Sequence, residues 1–338
     1  MGGLLVLAVL FTLHIARDFF LPIALAILLD FLLKPLVRGL KRFRLPEPVG
    51  AGVVVLAFLT IVGATGYALS GPAAGWVARA PEGFQVVQAK LAALRQPFEK
   101  VTTAAEKVEE ATEVSGTDKP SEVQIQGPSL VTQVLGGTAN FLGTLTVILF
   151  LTFLLLAVGD LFLEKLVGVL PQFRDKKTAV LIARATEAQI SAYLFTTTLI
   201  NLGVGVVTAV AMLLVGMPNP WLWGAVAAVL NYVPYVGAMV NMVVLAVAAL
   251  LSFDTVGRAL IVPAVFLGIN LVEGNLVTPA IQGRSMSLNP VALFVGFTFW
   301  WYIWGIPGAI MAVPMMATMK IICDHIDALS PVGEFLGS

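Results

Sequence analysis

Cysteine is almost absent from this chain. Cys323 stands alone, so no disulfide framework and no cysteine-rich metal site is available within it. Histidine occurs only twice, at His14 and His325, far apart in sequence. No Gly-rich phosphate loop of the Walker type appears, which argues against an ATPase. Charge is scarce too. Charged residues make up 12% of the 338, against about 25% in a soluble domain. Basic and acidic side chains are equal in number, 20 of each. No cofactor and no nucleic-acid partner is expected.

What fills the chain instead is apolar. Hydrophobic residues reach 58% and the mean hydropathy is +0.93. Apolar segments fall near 3–16, 19–37, 48–70, 143–163, 195–216, 221–251, 258–279 and 290–320, long enough for helices of about 20 residues. The reading is an all-α integral membrane protein with about eight transmembrane helices, its partner the lipid bilayer. Residues 1–16 lack the basic n-region and small-residue cleavage pattern of a signal peptide, and read as the first span or part of it.

Basic residues suggest an orientation. Lys34, Arg38, Lys41, Arg42 and Arg44 follow the second segment with no acid among them, and Lys165, Arg174, Lys176, Lys177 and Arg184 follow the fourth. Short basic loops stay cytoplasmic. The expectation is a bacterial inner (plasma) membrane protein with its N-terminus inside. Four regions follow: helices one to three over 1–71, an extracytoplasmic amphipathic helical insert over 72–142, helices four to eight over 143–320, and a tail over 321–338. Within the insert, Phe84, Val87, Leu91, Leu94, Phe98, Val101, Ala105 and Val108 repeat at heptad spacing, as a helix lying on its own membrane domain or as a subunit contact. Pro97 should kink or split that helix. Residues 112–128 read as a polar linker. On the inside, a helix over about 171–192 places Lys177, Arg184, Glu187 and Ser191 in one sector, as expected at the membrane interface.

The region 218–314 is apolar but full of helix breakers: Asn231-Tyr-Val-Pro-Tyr-Val-Gly237, Glu273-Gly-Asn275, Gly283-Arg-Ser-Met-Ser-Leu-Asn-Pro290 and Trp304-Gly-Ile-Pro-Gly308. Backbone freed by Pro or Gly within a membrane must face protein or water. As one helix, 221–251 would be about 46 Å long against a hydrocarbon core of about 30 Å. It is therefore one broken, tilted span or a re-entrant hairpin of two half-helices. A faint echo accompanies it. Asn219-Pro220 leads to Gly237-Ala-Met239, and Asn289-Pro290 leads to Gly308-Ala-Ile310. Chance can produce this in an apolar sequence. If it is a repeat, and 221–251 is a hairpin, the single crossing 258–279 leaves the two copies inverted.

Two acids lie within apolar segments, where ionisable groups are costly. Asp30 has Lys34 four residues on, a local partner. Glu273 has no basic residue between Arg258 and Arg284. It either pairs with Arg284, serves a substrate, proton or cation, or sits exposed at a boundary. Asn270 and Asn275 are its polar neighbours. Asn201, Asn241 and Thr196-Thr-Thr198 read as interhelical hydrogen-bonding groups. Asn231 adjoins the Tyr232-Val-Pro-Tyr235 break, where carbonyls become available to a ligand. Trp300, Trp301, Tyr302 and Trp304 read as an interface belt and His14 as helix packing or interfacial.

Taken in order, these motifs resemble the AI-2E (autoinducer-2 exporter) family, formerly an uncharacterised permease family. The matching pieces are Leu21-Pro-Ile-Ala-Leu-Ala26, Leu33-Lys-Pro-Leu-Val37, Asn231 to Gly237, Glu273-Gly-Asn-Leu-Val-Thr-Pro279, Gly283-Arg284, Leu288-Asn-Pro290 and Gly305-Ile-Pro-Gly-Ala-Ile-Met-Ala-Val-Pro314. Where that family often has His after Leu288, this chain has Asn289. The resemblance implies about eight spans, cytoplasmic termini, a homo-oligomer and secondary export of a small polar solute such as autoinducer-2. Sodium or lithium/proton antiport is an alternative, with Glu273 as the titrating acid. A non-transporting scaffold held by the heptad seam is another. Candidate path residues are Asn231, Tyr232, Pro234, Tyr235, Gly237, Asn270, Glu273, Asn275, Arg284 and Asn289, with Asp30 secondary. Pro279, Gly283, Pro290, Gly305, Pro307, Gly308 and Pro314 would let helices bend or approach.

Overall fold

The computed structural model describes residues 2–106, 130–159, 161–169, 173–282, 288–326 and 329–337. In chain order the helices are α1 (Gly2–Ile15), α2 (Arg17–Lys41), α3 (Glu47–Glu106), α4 (Leu130–Val158), α5 (Leu161–Val169) and α6 (Phe173–Val215). Then come α7 (Pro220–Leu230), α8 (Val236–Ser252), α9 (Val256–Val272), a π-helical turn (Glu273–Val277), α10 (Thr278–Gln282), α11 (Pro290–His325) and α12 (Ser330–Leu336). No β-strand occurs among the described residues. Among the described residues, five stretches are long and apolar enough to cross a membrane: Arg17–Lys41, Glu47–Arg79, Lys176–Val215, Val256–Gln282 and Pro290–His325. The helices Leu142–Val158, Pro220–Leu230 and Val236–Ser252 are apolar but shorter.

Two expected boundaries dissolve. The interfacial helix placed over about 171–192 is not a separate element, because α6 is continuous from Phe173 to Val215. No Gly or Pro interrupts α6 before Gly203, and of its polar sector Glu187 and Ser191 meet α2 while Lys177 and Arg184 stay exposed. Glu187 is buried and takes up Arg38, Lys34 at 3.2 Å and Arg184 at 3.5 Å. Ser191 donates to the Phe31 carbonyl. These bonds hold α6 upright against α2. Likewise α3 runs as one helix of 60 residues through Pro97, so no split occurs there. The seam side chains from Phe84 to Ala105, and Val108, lie outside the described residues.

The ends of the bundle can be named by their turns. At one, the Lys41 end, α2 passes to α3 and Glu47 meets both Lys41 and Gly159, just past α4. At the other, the Val215 end, α6 passes to α7. Relative to these, 221–251 is a hairpin of two half-helices. Trp223 near its start and Phe253 just past its end share a core with Met212, Met217, Ala259 and Phe266, so both legs open at the Val215 end. Its tip, 231–235, lies beside Asn201 and Thr198, about 21 Å along α6 from Val215 at 1.5 Å per residue.

The stretch 290–325 is a second hairpin. Gly305 has φ 65° and ψ −141°, a non-helical conformation that separates two legs. Ala292 and Gly296 on the first leg pack against Met316 on the second, which a straight rod would place about 30 Å from Gly296. Its tip residues Ile303 and Trp304 pack with Leu13, Phe20, Leu21 and Ala24, toward the end opposite Lys41. The two hairpins therefore open at opposite ends, with one long crossing, α9 to α10, between them. Both begin at an Asn-Pro pair and turn at a Pro/Gly break, so the sequence echo corresponds to a shared local shape in inverted directions.

Candidate functional site

The tip of the first hairpin forms because its residues cannot continue a helix. Tyr235 adopts φ 60°. Pro234 supplies no N–H, and the chain closes with turn bonds from Val233 N to Leu230 O (3.0 Å) and Gly237 N to Val233 O (2.9 Å). A Cβ on Gly237 would fall on the Leu230 carbonyl, so only glycine allows α8 to start this close to the end of α7. Deeper in the hairpin, a Cβ on Gly205 would lie 2.8 Å from the Gly224 carbonyl oxygen. The absence of both side chains seats α7 directly on α6.

That seating brings a polar cluster together inside an apolar bundle. Asn231 donates its Nδ2 to Asn201 Oδ1 at 2.9 Å, and Tyr232 donates its hydroxyl to Thr198 Oγ1 at 2.7 Å. One turn away, Gln282 donates to Thr197 Oγ1 at 2.8 Å. Asn201 is buried, and its Nδ2 finds no partner among the described residues. Asn241, one turn into α8, is 1% exposed and neither of its amide atoms has a described partner. The expectation of an interhelical bond thus holds for Asn201 and Thr198 and fails for Asn241. A buried amide left unpaired costs about 1–3 kcal/mol, and Asn201 Nδ2 with both amide atoms of Asn241 makes three such atoms here among the described residues.

The other candidates divide. Pro234 and Tyr235 face Leu293, Phe297, Ala312 and Val313 on the second hairpin. Asn270 Nδ2 bonds back to the Phe266 carbonyl at 3.0 Å, and Asn275 Nδ2 to Leu271 at 2.9 Å. Each serves its own helix and not the polar cluster. Asn289 is the N-cap of α11, its side chain accepting from Val291 N at 2.9 Å, with Pro290 at the first helical position. Its role is to start a helix. Glu273 opens the π-helical turn, accepts from Thr278 Oγ1 and lines a groove between α6 and α9. Pro279 lies in α10. Arg284 and Gly283 lie outside the described residues, and with them the pairing expected for Glu273. Asp30 is buried, and Lys34 reaches across to Glu187.

In the second hairpin, Gly305 is the tip, and a Cβ on Gly308 would strike the Trp300 carbonyl. Pro307 and Pro314 lie on the returning leg. Trp304 is buried and donates Nε1 to the Leu13 carbonyl at 3.2 Å. It ties the tip to α1 rather than joining an interface belt. His14 stacks on Tyr302 with centroids 5.6 Å apart, as packing predicts. Sequence reasoning missed Gln282 and the Glu187 ion cluster, since both depend on partners far away in the chain.

A sequence profile described as AI-2E family transporter matches residues 4–328. The chain belongs to the AI-2E transporter family. Among curated proteins, this family member is similar to the AI-2 transport protein TqsA of Escherichia coli K12, 27% identical over 96% of this chain and 91% of that protein. It is also similar to the putative transport protein YhhT of Escherichia coli K12, 25% identical over 96% of this chain and 89% of that one. A third relative is the putative transport protein YueF of Bacillus subtilis, 24% identical over 89% and 82%. Family and apolar helices together make this AI-2E chain a multi-pass membrane protein of the transporter class.

Proposed function

We propose that the protein is a secondary exporter of a small, polar, uncharged solute, of the autoinducer-2 type. The observation that carries this is the meeting of two oppositely opening hairpins, the first with its tip in the Asn201–Thr198–Asn231–Tyr232 cluster. The carbonyl end of α7 and the amide end of α8 converge there, so acceptors and donors are offered in one place. Broken half-helices near the bilayer middle are how many transporters build a solute site. A neutral solute carrying hydroxyl and carbonyl groups matches that set without needing a carboxylate. With the basic Lys41 end taken as cytoplasmic, the second hairpin opens inward and the first outward. Movement of one at a time would expose the cluster to one side.

The test is counterflow into proteoliposomes of purified protein, with autoinducer-2 screened against sodium and lithium. Asn231→Leu and Tyr232→Phe should cut solute uptake by more than about tenfold, the loss of one or two bound-state hydrogen bonds, in protein that still folds and purifies. Wild-type uptake in both variants removes the cluster from the path. Cation-driven pH changes inside vesicles, with no solute uptake, would favour antiport instead.

A further inference from the structure

The groove between α6 and α9 lies apart from the polar cluster. It encloses about 640 Å³, within the range of sites for drug-sized molecules (about 300–1,000 Å³). Leu199, Gly203 and Val207 form one wall, and Gly268, Val272 and Val277 the other. A Cβ at Gly203 or Gly268 would meet nothing within 4 Å, so the two walls stand apart instead of interlocking. Among the described residues lining it, Glu273 is the one charged group. Its carboxylate accepts a hydrogen bond from Thr278. The π-helical turn at Glu273–Val277 widens the helix at this point, a distortion that recurs at functional sites.

We propose that this groove is a binding site for a lipophilic cation, such as a protonated amphiphilic amine, entering laterally from the membrane with its charge on Glu273. An apolar slot holding a single carboxylate is complementary to a ligand with an apolar body and one positive charge. Neutral lipid tails would fill the slot but bring no positive charge to the carboxylate. Glu273 lies about 25 Å along the helix from Val256 and about 13 Å from Gln282, at 1.5 Å per residue, so a cation dissolved among the acyl chains meets it from the side. The proposal concerns a different face of α6 from the polar cluster.

Equilibrium dialysis of radiolabelled tetraphenylphosphonium against the protein in phosphatidylcholine nanodiscs tests this, with empty nanodiscs as the blank. Saturable binding of one cation per chain is expected. Glu273→Gln should weaken it by more than about tenfold, because it removes the one charge that lines the groove among the described residues. Gly268→Leu should abolish it by filling the slot with no change in charge, and neutral triphenylmethanol should fail to compete. Binding no greater than the blank, unchanged affinity in Glu273→Gln, or effective competition by triphenylmethanol would overturn the proposal. Displacement of the probe by phosphatidylethanolamine in the disc would do so as well. The assay reads binding and not flux, so it stands or falls separately from the solute reading.

Discussion

Gly205 and Gly224 lie back to back across the α6–α7 contact, with a Cβ on either colliding with the carbonyl oxygen of the other. Backbones can approach this closely in a membrane bundle only where both partners are small. Helix packing there comes from contact and hydrogen bonding, since surrounding lipid removes most of the hydrophobic difference. This one contact fixes the depth of the first hairpin. It decides that Asn231 meets Asn201 rather than a residue a turn away.

Gly224→Val therefore forces the hairpin off α6. The overpacking cost is about 1–3 kcal/mol, seen as a lower melting temperature of purified protein. Loss of the Asn231–Asn201 register should appear alongside it, as slower solute counterflow. An unchanged melting curve would mean that the helices separate freely.

Gly305 makes a sharper backbone test. A side chain there meets open space, yet φ 65° with ψ −141° is close to glycine-only territory. Gly305→Ala should cost about 1–3 kcal/mol from conformation alone. Gly63, helical and equally open, provides the control. Gly63→Ala should be neutral or stabilising by up to about 1 kcal/mol. Equal melting temperatures for the two variants would contradict a hairpin turn at 305.

Glu187 anchors α6 to α2 through Lys34 and Arg38. Lys34 and Glu187 are mostly buried there, at 15% and 10% side-chain exposure, while Arg38 is 60% exposed. Glu187→Gln removes the carboxylate that Lys34, Arg38 and Arg184 share. With Arg38 discounted for solvent screening, the loss should be about 2–3 kcal/mol, below the 3–5 of a fully buried pair. Thermal unfolding of Glu187→Gln beside Arg38→Gln separates the two contributions, and the arginine variant should lose much less.

Lys90 reaches from the extended end of α3 to the last turn of α8. Its ammonium donates to the Leu250 carbonyl at 2.6 Å and the Phe253 carbonyl at 2.7 Å. Carbonyls at a helix C-terminus otherwise lack partners. Lys90→Met should let the α8–α9 corner fray, with faster amide hydrogen exchange over 250–258 and none of that acceleration near Lys41. Uniform exchange across both regions would assign no clamp to Lys90.

Periodicity and composition carried the helices and the apolar segments into view because a membrane leaves few alternatives to helix. The breakers at Pro234, Gly237 and Gly305 were legible for the same reason. Their geometry was not. Whether a break continues forward or turns back depends on what packs against it, here Gly205 on Gly224 and Met316 against Gly296. The continuity of 173–192 with the following span was not legible, because a charged sector followed by an apolar run reads the same in sequence whether or not the helix breaks between them. Asn270 and Asn275 looked like ligands for lack of a visible partner, and that partner was their own helix backbone.

The Asn201–Asn231 bond offers a final measurement, because the polar cluster can be removed in halves. Asn201→Leu leaves the Asn231 amide without its acceptor, and Asn231→Leu leaves the Asn201 carbonyl without its donor. Each single change should cost about 1–3 kcal/mol. Removing both partners together should cost less than the sum, with a coupling of about 0.5–3 kcal/mol for residues in contact. The prediction that matters is the divergence between stability and function. The double Leu variant should recover part of its melting temperature and none of its solute counterflow. Recovery of both would make the pair a structural tie, and the path would have to pass elsewhere.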